Sequence, residues 1–208
     1  MQIVIEHLTK RVGANEVLKD ISVVFDGGKI YGLRGKNGSG KTMLMRAICG
    51  LIRPTCGTIQ INDRILWKDM SFPDSIGVLI ENPSFIDSFS GYRNLKALAD
   101  INHKIGEKEI RETIKRVGLD PDDNKKYRKY SLGMKQRLGI AAAVMEKPDI
   151  ILLDEPINAL DENGVKEIRN LLLELKNENR IMIIACHDRE ELEYLSDEII
   201  EIANGSIV

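Results

Sequence analysis

Gly35, Lys36, Asn37, Gly38, Ser39, Gly40, Lys41 and Thr42 follow the spacing G-x-x-x-x-G-K-S/T, which has a definite chemistry. Holding a triphosphate takes many N–H donors aimed at one point, with no side chain in the way. Glycines let the backbone fold back on itself, so that consecutive amides face inward as an anion-binding nest. A helix starting near Lys41 adds the partial positive charge of its N-terminus. In this pattern Lys41 reaches the β- and γ-phosphates and the Thr42 hydroxyl ligates Mg²⁺. The binding residues run from Gly35 through Met43.

A second chemical set comes later. Residues 150–155, Ile-Ile-Leu-Leu-Asp-Glu, put two carboxylates at the end of an apolar strand, where ligands bind in open α/β sheets. Burying neighbouring negative charges is costly unless a cation and a proton-transfer task justify it. Asp154 fits a carboxylate in the outer shell of Mg²⁺, and Glu155 fits the base that orients an attacking water. His187 follows the next apolar run, residues 181–186, at the same sheet edge. Alone, a histidine there is more often structural; beside this loop it can place an imidazole near the γ-phosphate.

The elements that must position these groups alternate. Residues 3–8 and 17–25 read as strands, Asp26-Gly27-Gly28 as a turn, 29–33 as the strand entering the loop and 43–48 as the helix leaving it. Residues 57–62 return to strand, Asn62-Asp63 turns the chain, and 77–80 is a short buried strand. From Pro83 to about Met145 the signal is helical, with Ile110, Ile114 and Val117 at i, i+4, i+7. The polar stretch 120–129 reads as a solvated loop. Strand 149–154, helix 164–178, strand 181–186 and a closing hairpin across Asn204-Gly205 complete the chain. The expected class is therefore α/β: a mostly parallel core sheet covered on both faces, an N-terminal antiparallel β part, and an inserted helical subdomain at about 83–145.

Composition bounds the rest. The chain has 208 residues, 43% of them hydrophobic, with 30 basic against 32 acidic residues and a net charge of -2. That balance supplies no electrostatic footprint for nucleic acid, and none is expected as a partner. Apolar runs fall far below the ~18 residues of a membrane span, and the start shows no secretory leader. Cys49, Cys56 and Cys186 are odd in number and without C-x-x-C spacing, which argues for free thiols in a reducing compartment.

With these residues in place, the chain resembles the nucleotide-binding domain of an ABC-type ATPase from about Ile3 to Val208. The segment Tyr130-Ser131-Leu132-Gly133-Met134-Lys135-Gln136-Arg137 looks like that family's signature, typically L-S-G-G-Q. Asn158-Ala159-Leu160-Asp161 matches its D-loop and His187 its H-loop. The resemblance implies one ATPase domain, 1–208, that binds ATP and Mg²⁺. It pairs head to tail with a second ATPase domain, a copy of itself or a paralogue. Ser131 and the backbone of Gly133, at a helix start, then cap the γ-phosphate from across the interface. It further implies a cytoplasmic subunit attached to the inner face of the cell membrane through a separate integral permease, docked by the Glu81 loop and the helical block.

There are departures from the family pattern. Aligning residues 8–13 puts Val12 where an aromatic often carries the adenine, so the platform is absent unless Arg11 substitutes. Leu132 replaces a glycine and Met134 the glutamine of the signature. Glu81 stands where a glutamine usually touches the metal. Glu81 with Ser-Leu-Gly-Met is similar to ATPase subunits that transport lantibiotics and related peptide antibiotics, self-immunity systems included. A soluble relative acting on ribosomes or DNA is the alternative; the translation type usually carries two such domains and the repair type a long coiled coil. A GTPase needs N-K-x-D, and Asn124-Lys125-Lys126-Tyr127 lacks the aspartate.

Overall fold

The computed structural model describes all 208 residues. Its centre is a six-stranded sheet in the order β10-β9-β3-β8-β7-β6. The strands are β3 (Lys29–Arg34), β6 (Ile76–Leu79), β7 (Ile150–Asp154), β8 (Ile181–Ala185), β9 (Glu198–Ala203) and β10 (Ser206–Ile207). The first four and β9 are parallel; β10 closes the edge as an antiparallel hairpin, pairing Ile207 with Ile202 across Asn204 and Gly205. Both turn residues have positive φ, 52° and 87°, as a two-residue turn of this hand requires.

Every residue of β7 and β8 is buried, the pattern of strands covered on both faces. Their alternation divides the core. Ile151, Leu153, Met182 and Ile184 face one cluster of 27 buried residues, shared with helices α2 (Gly91–Asn102), α3 (Glu107–Arg116), α4 (Leu132–Val144), α5 (Glu162–Leu175) and α6 (Arg189–Leu195). Ile150, Leu152, Ile181 and Ile183 face a second cluster of 22, shared with α1 (Lys41–Ile48) and a smaller antiparallel sheet. That sheet has the order β2-β1-β4-β5, built from β1 (Gln2–Val12), β2 (Asn15–Asp26), β4 (Cys56–Ile61) and β5 (Arg64–Ile65). The α/β class, the parallel core and the antiparallel N-terminal part thus stand as the pattern predicts.

The helical block begins later than its expected edge. Pro83 to Ser90 is irregular, and α2 starts only where the Ser90 hydroxyl accepts from the Arg93 amide. Pro83 instead receives a hydrogen bond on its carbonyl from the Tyr127 hydroxyl at 2.6 Å. Tyr127 is therefore buried within a run whose basic neighbours Lys125, Lys126, Arg128 and Lys129 are exposed.

The block seats on the sheet through α4 and β6. A Cβ at Gly77 would lie 1.7 Å from the Ala143 carbonyl oxygen, and a backbone atom inside a helix has nowhere to go. Gly77→Ala is expected to destabilise the protein by about 3 kcal/mol. That corresponds to about 10 °C in Tm for a chain of this length, readable in a thermal melt. At the far end of β7, buried Arg180 donates to the carbonyls of Pro148, Lys147 and Leu175. It fixes the approach to the strand that carries Asp154.

Candidate nucleotide site

β3 delivers the chain to Gly35, and the loop 35–40 returns it to the start of α1. Gly40 precedes the helix at φ 117° and Gly38 stands at φ 77°, left-handed values that side chains oppose. No side chain caps α1, so its first amides are left for a ligand. The Ser39 hydroxyl is buried and has no partner. An orphaned buried donor costs free energy unless a bound group satisfies it, and a phosphate oxygen is such a group. Lys41 is 6% exposed; its ammonium donates to the Gly35 carbonyl at 2.6 Å and the Lys36 carbonyl at 3.3 Å. This places a cation across the mouth of the nest.

A cavity of about 310 Å³ collects the groups the sequence singled out: Asn37 to Met43 from the loop and α1, Asp154 and Glu155 from the end of β7, and His187 after β8. The Thr42 hydroxyl donates to Asp154 Oδ2 at 2.6 Å. A hydroxyl and one carboxylate, with phosphate and water to complete the shell, is the donor set that suits Mg²⁺; the residues present fit that ion.

Glu155 sits at φ 52°. Its Oε2 accepts from the His187 amide at 3.2 Å. Its Oε1 is buried and lies 3.0 Å from His187 Nε2, but without hydrogen-bonding alignment. That oxygen therefore has no aligned donor within the chain. Burial raises the Glu155 carboxyl above the usual range; the His187 charge and amide oppose that shift. Desolvation also pushes the adjacent Cys186 thiol up to about 11, so it is protonated at neutral pH.

Ser131 and Gly133 lie elsewhere, at the start of α4. Ser131 caps that helix by accepting from the Met134 amide at 3.2 Å, and neither residue lines the phosphate cavity of its own chain. Asp161 caps α5 through the Gly164 amide at 3.0 Å. Two expected positions have other surroundings in the structure. Val12 ends β1 exposed and does not line the adjoining cavity of about 670 Å³ next to Gly38; Arg11, paired with Glu16, does. Successive strand residues point to opposite faces, so only one of the two can face it. Glu81, expected on the metal, instead pairs with Arg46 of α1. Arg46 lies four residues, one helical turn, beyond Thr42. Reading the sequence missed Arg46, and also Gln136, whose amide donates to the Glu155 carbonyl at 2.9 Å. Only its place in the signature segment marked it.

This fold and site define an ABC-type nucleotide-binding cassette, and comparison with known proteins agrees. The family model described as ABC transporter matches residues 18–158. The chain belongs to the ABC transporter family. It is 47% identical over 201 residues to the uncharacterized ABC transporter ATP-binding protein YybJ of Bacillus subtilis, covering 97% of this chain and 92% of that one. It is 40% identical over 205 residues to the bacitracin transport ATP-binding protein BcrA of Enterococcus faecalis, covering 98% and 67%. With the lantibiotic transport ATP-binding protein SrtF of Streptococcus pyogenes it shares 35% over 204 residues, covering 98% and 88%. Among solved structures, the cassette MJ0796 in dimeric form superposes with a TM-score of 0.87 at 25% identity over 99% of this chain and 96% of that one. CbiO1 of Clostridium perfringens gives 0.82 at 28% over 99% and 86%. No helix of this chain is long and apolar enough to cross a membrane.

Proposed function

We propose that this chain is the Mg²⁺-dependent ATPase subunit that drives a separate membrane permease, with peptide antibiotics as the substrate class. One observation carries the catalytic part of this reading. The buried Glu155 Oε1, without an aligned donor, shares a cavity with Lys41 and the Thr42–Asp154 pair. The amides of 38–43 hold the triphosphate, and Lys41 draws charge from its β- and γ-oxygens. Thr42 and Asp154 would hold Mg²⁺, which when bound neutralises charge on those oxygens. Glu155 accepts the proton of a water aimed at the γ-phosphorus, and His187, beside it, is placed to orient the γ-phosphate.

The remote Ser131 and Gly133 support a head-to-tail pair of such chains, in which each α4 start caps the other's ATP. For the permease, the groove of about 410 Å³ edged by Asn82, Pro83, Phe85, Tyr127 and Leu132 lies between the Glu81 loop and the helical block. Leu132 is 63% exposed there. The peptide-antibiotic assignment rests on the bacitracin and lantibiotic relatives and on Glu81. A subunit bound in this way would sit on the inner face of the membrane.

The test is phosphate release by the purified chain. It should require Mg²⁺ and stop in EDTA. No aromatic side chain lines the cavity beside Gly38. Base stacking worth about 1–3 kcal/mol in nucleic-acid sites is therefore missing, and ATP and GTP should bind within about tenfold of each other. Unchanged hydrolysis in EDTA, or an ATP preference above about a hundredfold, would count against these roles.

A further inference from the structure

Glu155 is held in a left-handed conformation, φ 52°, that only its surroundings make tenable. At one end its amide donates to the Ala185 carbonyl at 2.8 Å, continuing the sheet. At the other its carbonyl accepts from Gln136 Nε2 at 2.9 Å and, at 3.3 Å, from the Asn158 amide. Gln136 is 8% exposed, and a buried amide is there to make hydrogen bonds. It comes from α4, one turn beyond Ser131 and Gly133. That helix also abuts the same loop at Gly133, where a Cβ would meet the Ala159 carbonyl at 2.9 Å.

We propose that Gln136 is a positioning residue for Glu155. Its amide pins the peptide that follows the carboxylate, so the carboxylate is aimed at the γ-phosphate only while α4 is seated. Without the donor the Glu155 carbonyl keeps only the longer contact from the Asn158 amide, φ at Glu155 relaxes from its left-handed value, and Oε1 swings from the water site. Because the start of α4 carries Ser131 and Gly133, one helical turn links whatever binds at that start to the base of the same chain. The inference rests on the reading of Glu155 as the base, and its test separates the two.

Gln136→Met keeps length and volume and removes the donor. In the purified full chain it should lower kcat at least about tenfold, with KM and equilibrium ATP affinity within about threefold of wild type. In a Glu155→Gln background the same substitution should leave the residual single-turnover rate unchanged, because a residue acting through Glu155 has nothing left to lose. A merely structural glutamine would lower both backgrounds by the same factor, and that overturns the proposal; so does wild-type kcat in Gln136→Met. If Glu155→Gln alone hydrolyses ATP like wild type, it is the base assignment that fails. Should Gln136→Met fold poorly by circular dichroism, Gln136→Glu decides. The introduced carboxylic acid donates only when protonated, so the variant's activity relative to wild type should rise as pH falls. An unchanged pH profile overturns the proposal.

Discussion

Glu155→Gln is expected to keep ATP binding and lose turnover by a factor of about 10² to 10⁴, the usual contribution of a positioned base. The amide fills the same space and can hold the water, but it cannot take the proton. The ATP-bound state should then accumulate, and size-exclusion chromatography in Mg-ATP should show a dimer. Lys41→Ala should fail one step earlier, at triphosphate binding, because the ammonium at the mouth of the loop is gone. The pH profile gives an independent check. The active form is the carboxylate, and burial holds this carboxyl above the usual range. Wild-type activity should therefore fall, as pH is lowered, at a higher pH than an ordinary glutamate near about 4.3 would give. Near-wild-type hydrolysis by Glu155→Gln, with only monomer in Mg-ATP, would show that another group is the base.

The parts of this molecule that were legible in the sequence are those set by periodicity and by glycine. The all-apolar residues of β7 and β8 announce strands covered on both faces, and the loop 35–42 announces its ligand, because both depend on residue type at fixed spacing. Other parts depend on tertiary contacts. Glu81, Glu155 and Ala159 adopt positive φ of 61°, 52° and 68° with no glycine to signal it; at Glu155, hydrogen bonds to β8 and from α4 hold that shape. Helix α6 was not foreseen. At seven residues it is too short for periodicity, although Asp188, which accepts from the Glu190 and Glu191 amides, is an ordinary start signal. Residues 83–90 read as helix by position within the block, yet the Ile86 amide and carbonyl are taken by the Asn94 side chain. Gln136 and Arg46 looked like unremarkable helix residues, because their partners lie 19 and 35 positions away.

Glu81→Ala is expected to separate hydrolysis from transport. Glu81 lies two residues beyond β6, and its exposed carboxylate pairs with Arg46, on the face of α1 that carries Thr42 one turn earlier. Two residues on, Pro83 packs against α4, where a Cβ at Gly139 would lie 2.8 Å from the proline ring carbon. Its carbonyl is held by Tyr127. This short loop thus touches the helix that begins the phosphate site and the helix that begins with Ser131. A carboxylate released from Arg46 is one turn from Thr42 and can give the metal charge-assisted coordination that an amide lacks. Any such shift is passed to Pro83 and the block around it. Glu81 does not line the cavity that holds Glu155. Hydrolysis by the isolated chain should therefore stay within about tenfold of wild type, while substrate export or immunity by the chain reconstituted with its permease falls to background. Normal transport by Glu81→Ala would make Glu81 a solvated loop acid and remove the residue that best ties this chain to the peptide-antibiotic transporters.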